Sequence, residues 1–261
     1  MDVLGTLPLS WRARLAGKMI IPVAAGMSGA AVFRVVSGRG IDHYLKIGTG
    51  TVADILKREI ERTKWLATAG IRVPRILERF ADENVVAVAM TALSGQTGET
   101  IERADWRSAV VAIARAFAHL HSLPLATCPF DERLDIRLAR ARELVRAGGI
   151  DPADFDERNA GIAPEHLYDR LAARLPLPED CVVTHGDATL SNLILGDDGQ
   201  IGFLDCSHCG RADRYVDLTL VVGELEDRLG PQARETFAAA YGGLPWDERK
   251  AEYYRDLYEL F

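Results

Sequence analysis

Cysteines and long apolar segments are scarce in this chain of 261 residues, and basic residues are fewer than acidic ones. It contains four cysteines, too few to suggest a disulfide scaffold in a chain of this length. No apolar run approaches the roughly 18 residues that a membrane-spanning helix needs. The first residues also lack the basic segment and apolar core of a signal peptide. We therefore expect a soluble, cytoplasmic protein with reduced thiols.

The charge balance is acidic, with 31 lysines and arginines against 38 aspartates and glutamates and a net charge of −7. This balance argues against a nucleic-acid-binding protein and is compatible with a cationic ligand. The chain also lacks the Gly-Lys-Ser/Thr of a Walker A loop, a complete Gly-x-Gly-x-x-Gly motif, internal repeats and low-complexity segments. Its length is sufficient for one large domain or for two lobes with a real core.

The clearest chemical pattern lies between positions 182 and 205. Two apolar runs flank Asp198-Gly199, which favours a hairpin with a type I′ turn because both central residues of that turn need positive φ. A turn there places Asn192 opposite Asp205, with their Cβ atoms about 5 Å apart. An amide oxygen and a carboxylate can then hold one hard cation, and Asp187 just upstream stays free to act as a base. Phosphoryl transfer with Mg²⁺ requires these groups, although a surface hairpin with acidic residues is the alternative.

The N-terminal third is predicted to contain strands and one helix. A turn of small residues at 26–31 runs into a strand, and such a ribbon can direct backbone N–H groups at phosphates; a hairpin without function is the alternative. Lys46 lies on the next strand, while Glu59 and Glu61 both lie on the helix. The predicted strands span 19–25, 32–36, 43–47, 76–80 and 85–90, and the predicted helix spans 52–68.

The rest of the chain is predicted to be mainly helical, because its apolar residues recur with the helical period. The acidic stretch 151–161 fits a helix N-terminus, where carboxylates are favoured by free N–H groups and the helix dipole. The predicted helices span 104–123, 133–146, 166–175, 217–229, 232–241 and 246–261.

The motif His185-Gly186-Asp187, followed by Asn192, by the Phe-Leu-Asp-Cys of 203–206 and by 210–217, resembles the catalytic centre of the aminoglycoside phosphotransferases. It is most similar to the 3′-phosphotransferases of kanamycin and neomycin resistance, and the resemblance extends over nearly the whole chain. It implies ATP and Mg²⁺, and the phosphorylation of an aminoglycoside hydroxyl, above all the 3′-hydroxyl, as a cause of antibiotic resistance.

The resemblance also implies an α+β, two-lobed fold like that of the protein kinases. Residues 1–92 are expected to form a nucleotide-binding lobe built on an antiparallel sheet. Residues 93–261 are expected to form a larger, mainly helical lobe for catalysis and aminoglycoside binding.

Individual roles follow from the same resemblance. Asp187 is expected to accept or position the proton of the acceptor hydroxyl, and Asn192 and Asp205 to hold Mg²⁺. Lys46 is expected to contact the phosphates of ATP, with Glu59 orienting it. The other implied contacts are to the nucleotide from Ser28, the carbonyl of Thr91 and the N–H of Leu93, and to the drug from Asp154, Asp156, Glu157, Glu259 and the carboxylate of Phe261.

Three places depart from the family pattern: Ser207-His208 after the Asp-Cys pair, Gly223-Glu224 on the following helix, and Tyr258 at an expected acidic position. They alter the charge around the acceptor site, so the accepted aminoglycosides and the target hydroxyl stay open, as does the choice between ATP and GTP. A kinase of a macrolide or metabolite and a catalytically inactive nucleotide-binding protein are the alternatives. We expect a monomer or weak dimer without a nucleic-acid or membrane partner.

Overall fold

The computed structural model of the chain describes residues 3–23, 29–36, 43–102, 106–175, 178–243 and 246–261. The chain divides into two compact units. The first consists of Met1–Gln96 and Ile194–His208, and the second of Thr97–Leu193 and Cys209–Phe261. The mixture of an antiparallel sheet and helices confirms the predicted α+β class.

Helices and strands are numbered separately in chain order. The α-helices are α1 (Leu9–Leu15), α2 (Thr51–Thr68), α3 (Trp106–His121), α4 (Leu134–Ala147), α5 (Pro164–Ala172), α6 (Tyr215–Leu229), α7 (Gln232–Tyr241) and α8 (Glu248–Tyr258). The strands are β1 (Met19–Val23), β2 (Ala31–Val36), β3 (His43–Thr49), β4 (Ile76–Ala81), β5 (Val85–Thr91), β6 (Gln96–Thr97), β7 (Cys181–Thr184), β8 (Leu193–Leu195), β9 (Ile201–Phe203) and β10 (Gly210–Asp213). No helix in the described part of the chain combines the length and hydropathy of a membrane span.

The first unit is built on an antiparallel sheet of five strands in the order β1-β2-β3-β5-β4. All residues of β5 except the last are buried, because both faces of the sheet are covered. Successive side chains of a strand point to opposite faces. Every second residue from Val85 therefore joins the apolar cluster around Trp11 of α1, and the alternate residues join the cluster around Leu56 of α2.

Helix α1 corrects the sequence prediction, which places one helix in residues 1–92. It is seven residues long, too short for a helical period to stand out. Trp11 and Leu7 are buried against the sheet and cover the face opposite α2. Helix α2 (Thr51–Thr68) agrees with the predicted span to within one residue.

β8 and β9 form the predicted hairpin, but its turn differs from the expected type I′ turn. The N–H of Gly196 donates to the carbonyl of Gln200, and that of Gly199 donates to the carbonyl of Gly196, both at 2.9 Å. Gly199 has a φ of +75°, whereas Asp198 is not among the residues with positive φ. The loop therefore has three residues, a type I turn followed by a left-handed glycine. Asp198 accepts the N–H of Gln200 at 3.1 Å, a local bond that stabilises this turn.

The changed turn overturns the predicted register in which Asn192 faces Asp205. A loop of three residues shifts the pairing by one position relative to a loop of two. Asn192 ends a 3₁₀ turn (Leu190–Asn192) before β8, and Asp205 lies beyond the end of β9. The positions of Asn192 and Asp205 are therefore not set by pairing between β8 and β9.

The second unit contains α3 to α8 and an antiparallel ribbon of β7 and β10, in which Thr184 lies opposite Gly210. Its apolar core draws on α4, α5, α6 and α8. Helix α8 ends at Tyr258, before the predicted end at position 261. In the acidic stretch, a 3₁₀ turn (Pro152–Asp154) capped by the side chain of Asp151 takes the place of the expected helix start.

Candidate active site

One group of charged side chains lies in the first unit and centres on Lys46 of β3. Its ammonium donates to Oε1 of Glu59 at 2.7 Å and also contacts Oδ1 of Asp205. The side chains of Lys46 and Glu59 are each 9% exposed, whereas that of Asp205 is 38% exposed. Burial alone would lower the pKa of Lys46, but the two carboxylates raise it above its ordinary value. Lys46 is therefore a fixed positive charge beside a partly exposed carboxylate.

Strand alternation and helix geometry explain this pairing. Lys46 shares one face of β3 with Tyr44, which packs against the α2 cluster, while Leu45 lies on the opposite face. On α2, Glu59 is buried and Glu61 is exposed. Two residues along a helix correspond to a rotation of about 200°, so only one of the two candidate glutamates can face Lys46.

Asp205 has an uncommon backbone conformation. Its φ of +53° is the one positive value at a non-glycine residue in the described ranges. The left-handed region costs most residues roughly 1 kcal/mol, and aspartate tolerates it better than most. Helix α2 holds the segment that follows, because Arg62 donates to the carbonyl of Ser207. Strain of this kind is retained where the surroundings enforce it, often at functional sites.

A second group of side chains lies in the second unit, on the loop His185–Asn192 that follows β7. Oδ1 of Asp187 accepts the hydroxyl of Tyr258 at 3.0 Å, and Oδ2 accepts Nδ2 of Asn192 at 2.9 Å. The same Nδ2 donates to the backbone carbonyl of Asp187 at 2.9 Å. Both carboxylate oxygens of Asp187 are thus held by named donors.

These bonds also orient the amide of Asn192. Because Nδ2 faces Asp187, the amide oxygen points elsewhere, and no hydrogen bond between described residues uses it. In Asp205 the Lys46 contact occupies Oδ1. Amide and carboxylate oxygens are the hard ligands that Mg²⁺ prefers, usually one or two from protein with several waters. The amide oxygen of Asn192 and the carboxylate of Asp205 are therefore each, by their chemistry, suitable ligands for Mg²⁺.

The loop is anchored from behind by Asp217 at the start of α6. This fully buried carboxylate accepts the backbone N–H groups of His185 and Gly186, each at 2.7 Å, and Nε2 of His121 at 3.0 Å. Burial opposes ionisation, but the hydrogen bonds from His121 and from the N–H of Gly186 lower the pKa of Asp217. Asp217 thus holds the loop from the buried interior.

His121 continues this network away from the loop. Its Nδ1 lies 2.7 Å from the hydroxyl of Tyr241, which accepts a hydrogen bond from Arg214 at 2.9 Å. A ring that donates through Nε2 and accepts at Nδ1 satisfies every member of the chain. Fully satisfied buried networks of this kind make their surroundings rigid.

Glu224 of α6 anchors the far end of the loop. Its Oε2 accepts the N–H of Leu190 at 2.7 Å. Burial raises the pKa of Glu224, and the charges of Glu99 and Asp187 add to this effect. Loop, α6 and α8 are therefore joined by side-chain contacts at both ends and at Asp187.

The residues predicted to bind the drug occupy two segments of the second unit. Both carboxylate oxygens of Glu259 accept the N–H of Asp156, at 3.1 and 3.0 Å. Burial raises the pKa of Glu259, despite the hydrogen bond from Asp156. The ring of Phe261 lies 5.0 Å from Cζ of Arg137. The remaining members, Asp154 and Glu157, are exposed, as is Asp156.

The predicted nucleotide contacts lie at the end of β5 and just after it. Thr91 ends this strand, and its N–H and hydroxyl both bond to the backbone of Arg75 at 3.0 Å. The N–H of Leu93 makes no hydrogen bond with any described residue. Ser28, the predicted contact in the small-residue turn, lies outside the described residues.

Sequence reasoning did not identify two contributors to the site. Tyr258 and Glu224 are noted there as departures from a pattern, without a contact to the loop. Tyr258 is 71 residues from Asp187, and Glu224 is 34 residues from Leu190. Hydrophobic periodicity carries no information about such distant pairs, so the available signal was a tyrosine at a position where an acid was expected.

Over most of its length the chain is similar to known phosphotransferases. Residues 20–254 match the model of the phosphotransferase enzyme family. The chain is 37% identical over 249 residues to an aminoglycoside 3′-phosphotransferase of Streptomyces ribosidificus, covering 92% of this chain and 94% of the relative. Among solved structures, it resembles an aminoglycoside-3′-phosphotransferase of type VIII (TM-score 0.90, 33% identity, 100% and 98% coverage). It also resembles aminoglycoside phosphotransferase APH(3″)-Id of Streptomyces rimosus in complex with ADP and streptomycin (TM-score 0.84, 30% identity, 100% and 98% coverage).

Proposed function

The chain belongs to the aminoglycoside phosphotransferase family, and we propose that it transfers the γ-phosphoryl group of ATP to an aminoglycoside hydroxyl, the 3′-hydroxyl, and thereby confers antibiotic resistance. The observation that carries this proposal is the geometry of Asp187. Its carboxylate is held at both oxygens, next to an asparagine whose amide oxygen is directed away. The similar proteins are named as aminoglycoside phosphotransferases, which supports an aminoglycoside as the substrate.

The first unit supplies the groups that bind ATP. Lys46 neutralises phosphate charge and is held in place by Glu59, whose carboxylate lies 2.7 Å from its ammonium. The carbonyl of Thr91 and the N–H of Leu93 receive the adenine, and Ser28 is a further proposed contact to the nucleotide. Backbone recognition of this kind constrains the base weakly, so GTP is a second nucleotide to test.

Asp205 and Asn192 are the proposed ligands of Mg²⁺. A Mg²⁺ ion held by these two residues would supply positive charge to stabilise the transferring phosphoryl group. The amide of Asn192 is turned by Asp187 so that its oxygen is available. Asp205 keeps a partly exposed carboxylate while Lys46 occupies one oxygen.

Asp187 acts on the acceptor. The acceptor oxygen attacks the γ-phosphorus, the bond to the β–γ bridging oxygen breaks, ADP leaves, and the hydroxyl proton passes to the carboxylate of Asp187. Because the transition state of phosphoryl transfer is loose, positioning contributes more than strong base catalysis. A carboxylate fixed by two donors meets that requirement.

The drug is held through its ammonium groups. Carboxylate–ammonium hydrogen bonds are about twice as strong as neutral ones. The proposed partners of the drug are Asp154, Asp156, Glu157, Glu259 and Phe261. Glu259 already accepts the N–H of Asp156, so two of these residues are neighbours. We expect a monomer or weak dimer in the cytoplasm, with neither nucleic acid nor membrane as partner.

The test is Mg²⁺-dependent release of ADP with kanamycin, with the 3′-deoxy drug tobramycin and with streptomycin, using Asp187→Asn as control. Turnover of kanamycin without tobramycin is expected and identifies the 3′-hydroxyl. Turnover of both drugs moves the target to another hydroxyl, and turnover of streptomycin alone moves it to the chemistry of the 3″ relatives. Silence with all three drugs, in protein that binds ATP, contradicts the proposal.

A further inference from the structure

Tyr258 touches Asp187 from a different element than the rest of the loop's anchors. It is the last residue of α8, and its hydroxyl donates to Oδ1 of Asp187 at 3.0 Å. The other oxygen of the carboxylate is bound by Asn192. A carboxylate held on both oxygens cannot rotate about its Cβ–Cγ bond without losing a hydrogen bond.

The hydroxyl of Tyr258 is a stable donor. Burial raises its pKa, and the adjacent charge of Asp187 and the hydrogen bond to it raise the pKa further. The ordinary pKa of a tyrosine is already about 10, so the phenol of Tyr258 stays protonated at physiological pH. Tyr258 therefore always presents a hydrogen-bond donor to Oδ1 of Asp187.

The backbone around Tyr258 is fixed by its neighbours. The N–H of Phe261 donates to the carbonyl of Tyr258 at 3.1 Å, and the ring of Phe261 lies over Arg137. The next residue, Glu259, accepts the N–H of Asp156 with both oxygens. These contacts hold the backbone around Tyr258 independently of Asp187. The hydroxyl of Tyr258 can therefore restrict the rotation of the Asp187 carboxylate.

The bond to Tyr258 leaves room for an acceptor. Each carboxylate oxygen has two lone pairs, so Tyr258 and Asn192 together use two of about four acceptor positions. A substrate hydroxyl can share Oδ1 with Tyr258 and need not displace it. The plane of the carboxylate, and with it the direction of the remaining lone pairs, is then set by the two donors.

We propose that Tyr258 is a positioning residue of the transfer reaction: its hydroxyl fixes the carboxylate of Asp187 in the orientation that receives the acceptor proton. This inference rests on the proposed function. Because Tyr258 acts through Asp187, its removal is expected to change the rate of the chemical step more than the affinity for either substrate.

The experiment compares Tyr258→Phe with Tyr254→Phe in the full-length protein. Tyr254 lies one turn earlier on α8, is buried, and has a hydroxyl without a hydrogen-bond partner among the described residues. We expect Tyr258→Phe to lower kcat with kanamycin about tenfold, because small misplacements of a reacting group cost one to two orders of magnitude. The Michaelis constants for ATP and kanamycin should stay within about twofold, and Tyr254→Phe should match the unmodified protein.

Three kinetic results would overturn the proposal. An unchanged kcat in Tyr258→Phe means that the hydroxyl does not position Asp187. A raised Michaelis constant for kanamycin with unchanged kcat makes Tyr258 a substrate contact. A higher kcat means that the phenol competes with the acceptor hydroxyl.

A measurement without turnover separates this inference from the proposed function. The ¹³C signal of the Asp187 carboxyl, assigned with Asp187→Asn, should shift in Tyr258→Phe and stay in place in Tyr254→Phe, with no substrate present. Absence of that shift overturns the inference alone. If the unmodified protein phosphorylates no aminoglycoside while the shift is present, the proposed function fails, and the positioning role with it, although the contact stands.

Discussion

Replacing Asp217 by asparagine should uncouple the His185–Asn192 loop from α6 without changing the shape of the side chain. The carboxylate accepts three hydrogen bonds in a fully buried position: His185 N–H and His121 Nε2 on Oδ2, and Gly186 N–H on Oδ1. Asparagine offers one acceptor oxygen. Placed where Oδ2 stood, that oxygen keeps two partners, and the amide nitrogen then faces the N–H of Gly186.

The cost follows from these contacts. A buried N–H left without an acceptor costs about 1–3 kcal/mol. The two retained bonds lose their charged acceptor, which removes roughly half of their strength, about 0.5–1 kcal/mol each. The sum is about 3 kcal/mol, or roughly 6–12 °C in Tm for a protein of this size. Because the displaced backbone leads directly into Asp187, we also expect kcat to fall at least tenfold.

Asp213→Asn is the matched control. Asp213 is equally buried and also accepts three hydrogen bonds, from the N–H groups of Asp180 and Tyr215 and from Lys250. None of these partners belongs to the loop. Thermal unfolding and steady-state kinetics should show a similar loss of stability in both variants, with kcat per folded molecule reduced in Asp217→Asn alone. Equal kcat values in the two variants would refute the positioning argument.

Three further changes test other parts of the structure. Glu59→Gln should lower Tm by roughly 6–12 °C, because breaking a buried ion pair costs about 3 kcal/mol or more. Differential scanning calorimetry checks this, with Glu61→Gln, at an exposed position of the same helix, as the control. Equal Tm values in the two variants would contradict the prediction. Gly95→Ala should lose about 3 kcal/mol by urea unfolding, since Gly95 has a φ of +128° and a Cβ there would lie 2.1 Å from the carbonyl oxygen of Leu195; Gly149→Ala, whose Cβ would meet nothing closer than 3.6 Å, is the control, and equal losses would refute the steric reasoning. Glu224→Gln tests a pH dependence: because burial raises the pKa of Glu224 in the folded protein above the ordinary value of 4.5, its ionisation removes stability as the pH rises above that ordinary value. The variant should therefore gain stability relative to the unmodified protein as the pH is raised. A difference in urea midpoint that does not change with pH would contradict that sign.

Features that depend on neighbours in the chain were predictable. Helix α2 starts one residue before its predicted span and ends where predicted, and α7 coincides with its predicted span, because the apolar period is a local property. Asp187 and Asn192 are five residues apart in the chain, so the motif by itself indicates that they share a site. A hydrogen bond between their side chains joins them in the structure.

Other features could not be read locally. The predicted type I′ turn is wrong because Asp-Gly fits two turn types. The carboxylate of Asp198 accepts the N–H of Gln200, and this hydrogen bond favours the turn with a loop of three residues. Helix α1 was missed because one buried tryptophan on seven residues shows no period. Helix α1 is stabilised by packing on one face of a sheet whose strands come later in the chain.

By itself the sequence determined which residue types are present at each motif, and so the class of chemistry: a carboxylate, an asparagine and a second aspartate in a pattern that suits phosphoryl transfer. The tertiary structure decided their partners. It chose Glu59 over Glu61 for Lys46, brought Asp217 under the loop with His121, and set Tyr258 against Asp187. These pairings depend on how helices and strands pack across 13 to 96 residues of chain, and packing is a property of the folded core that no local pattern contains.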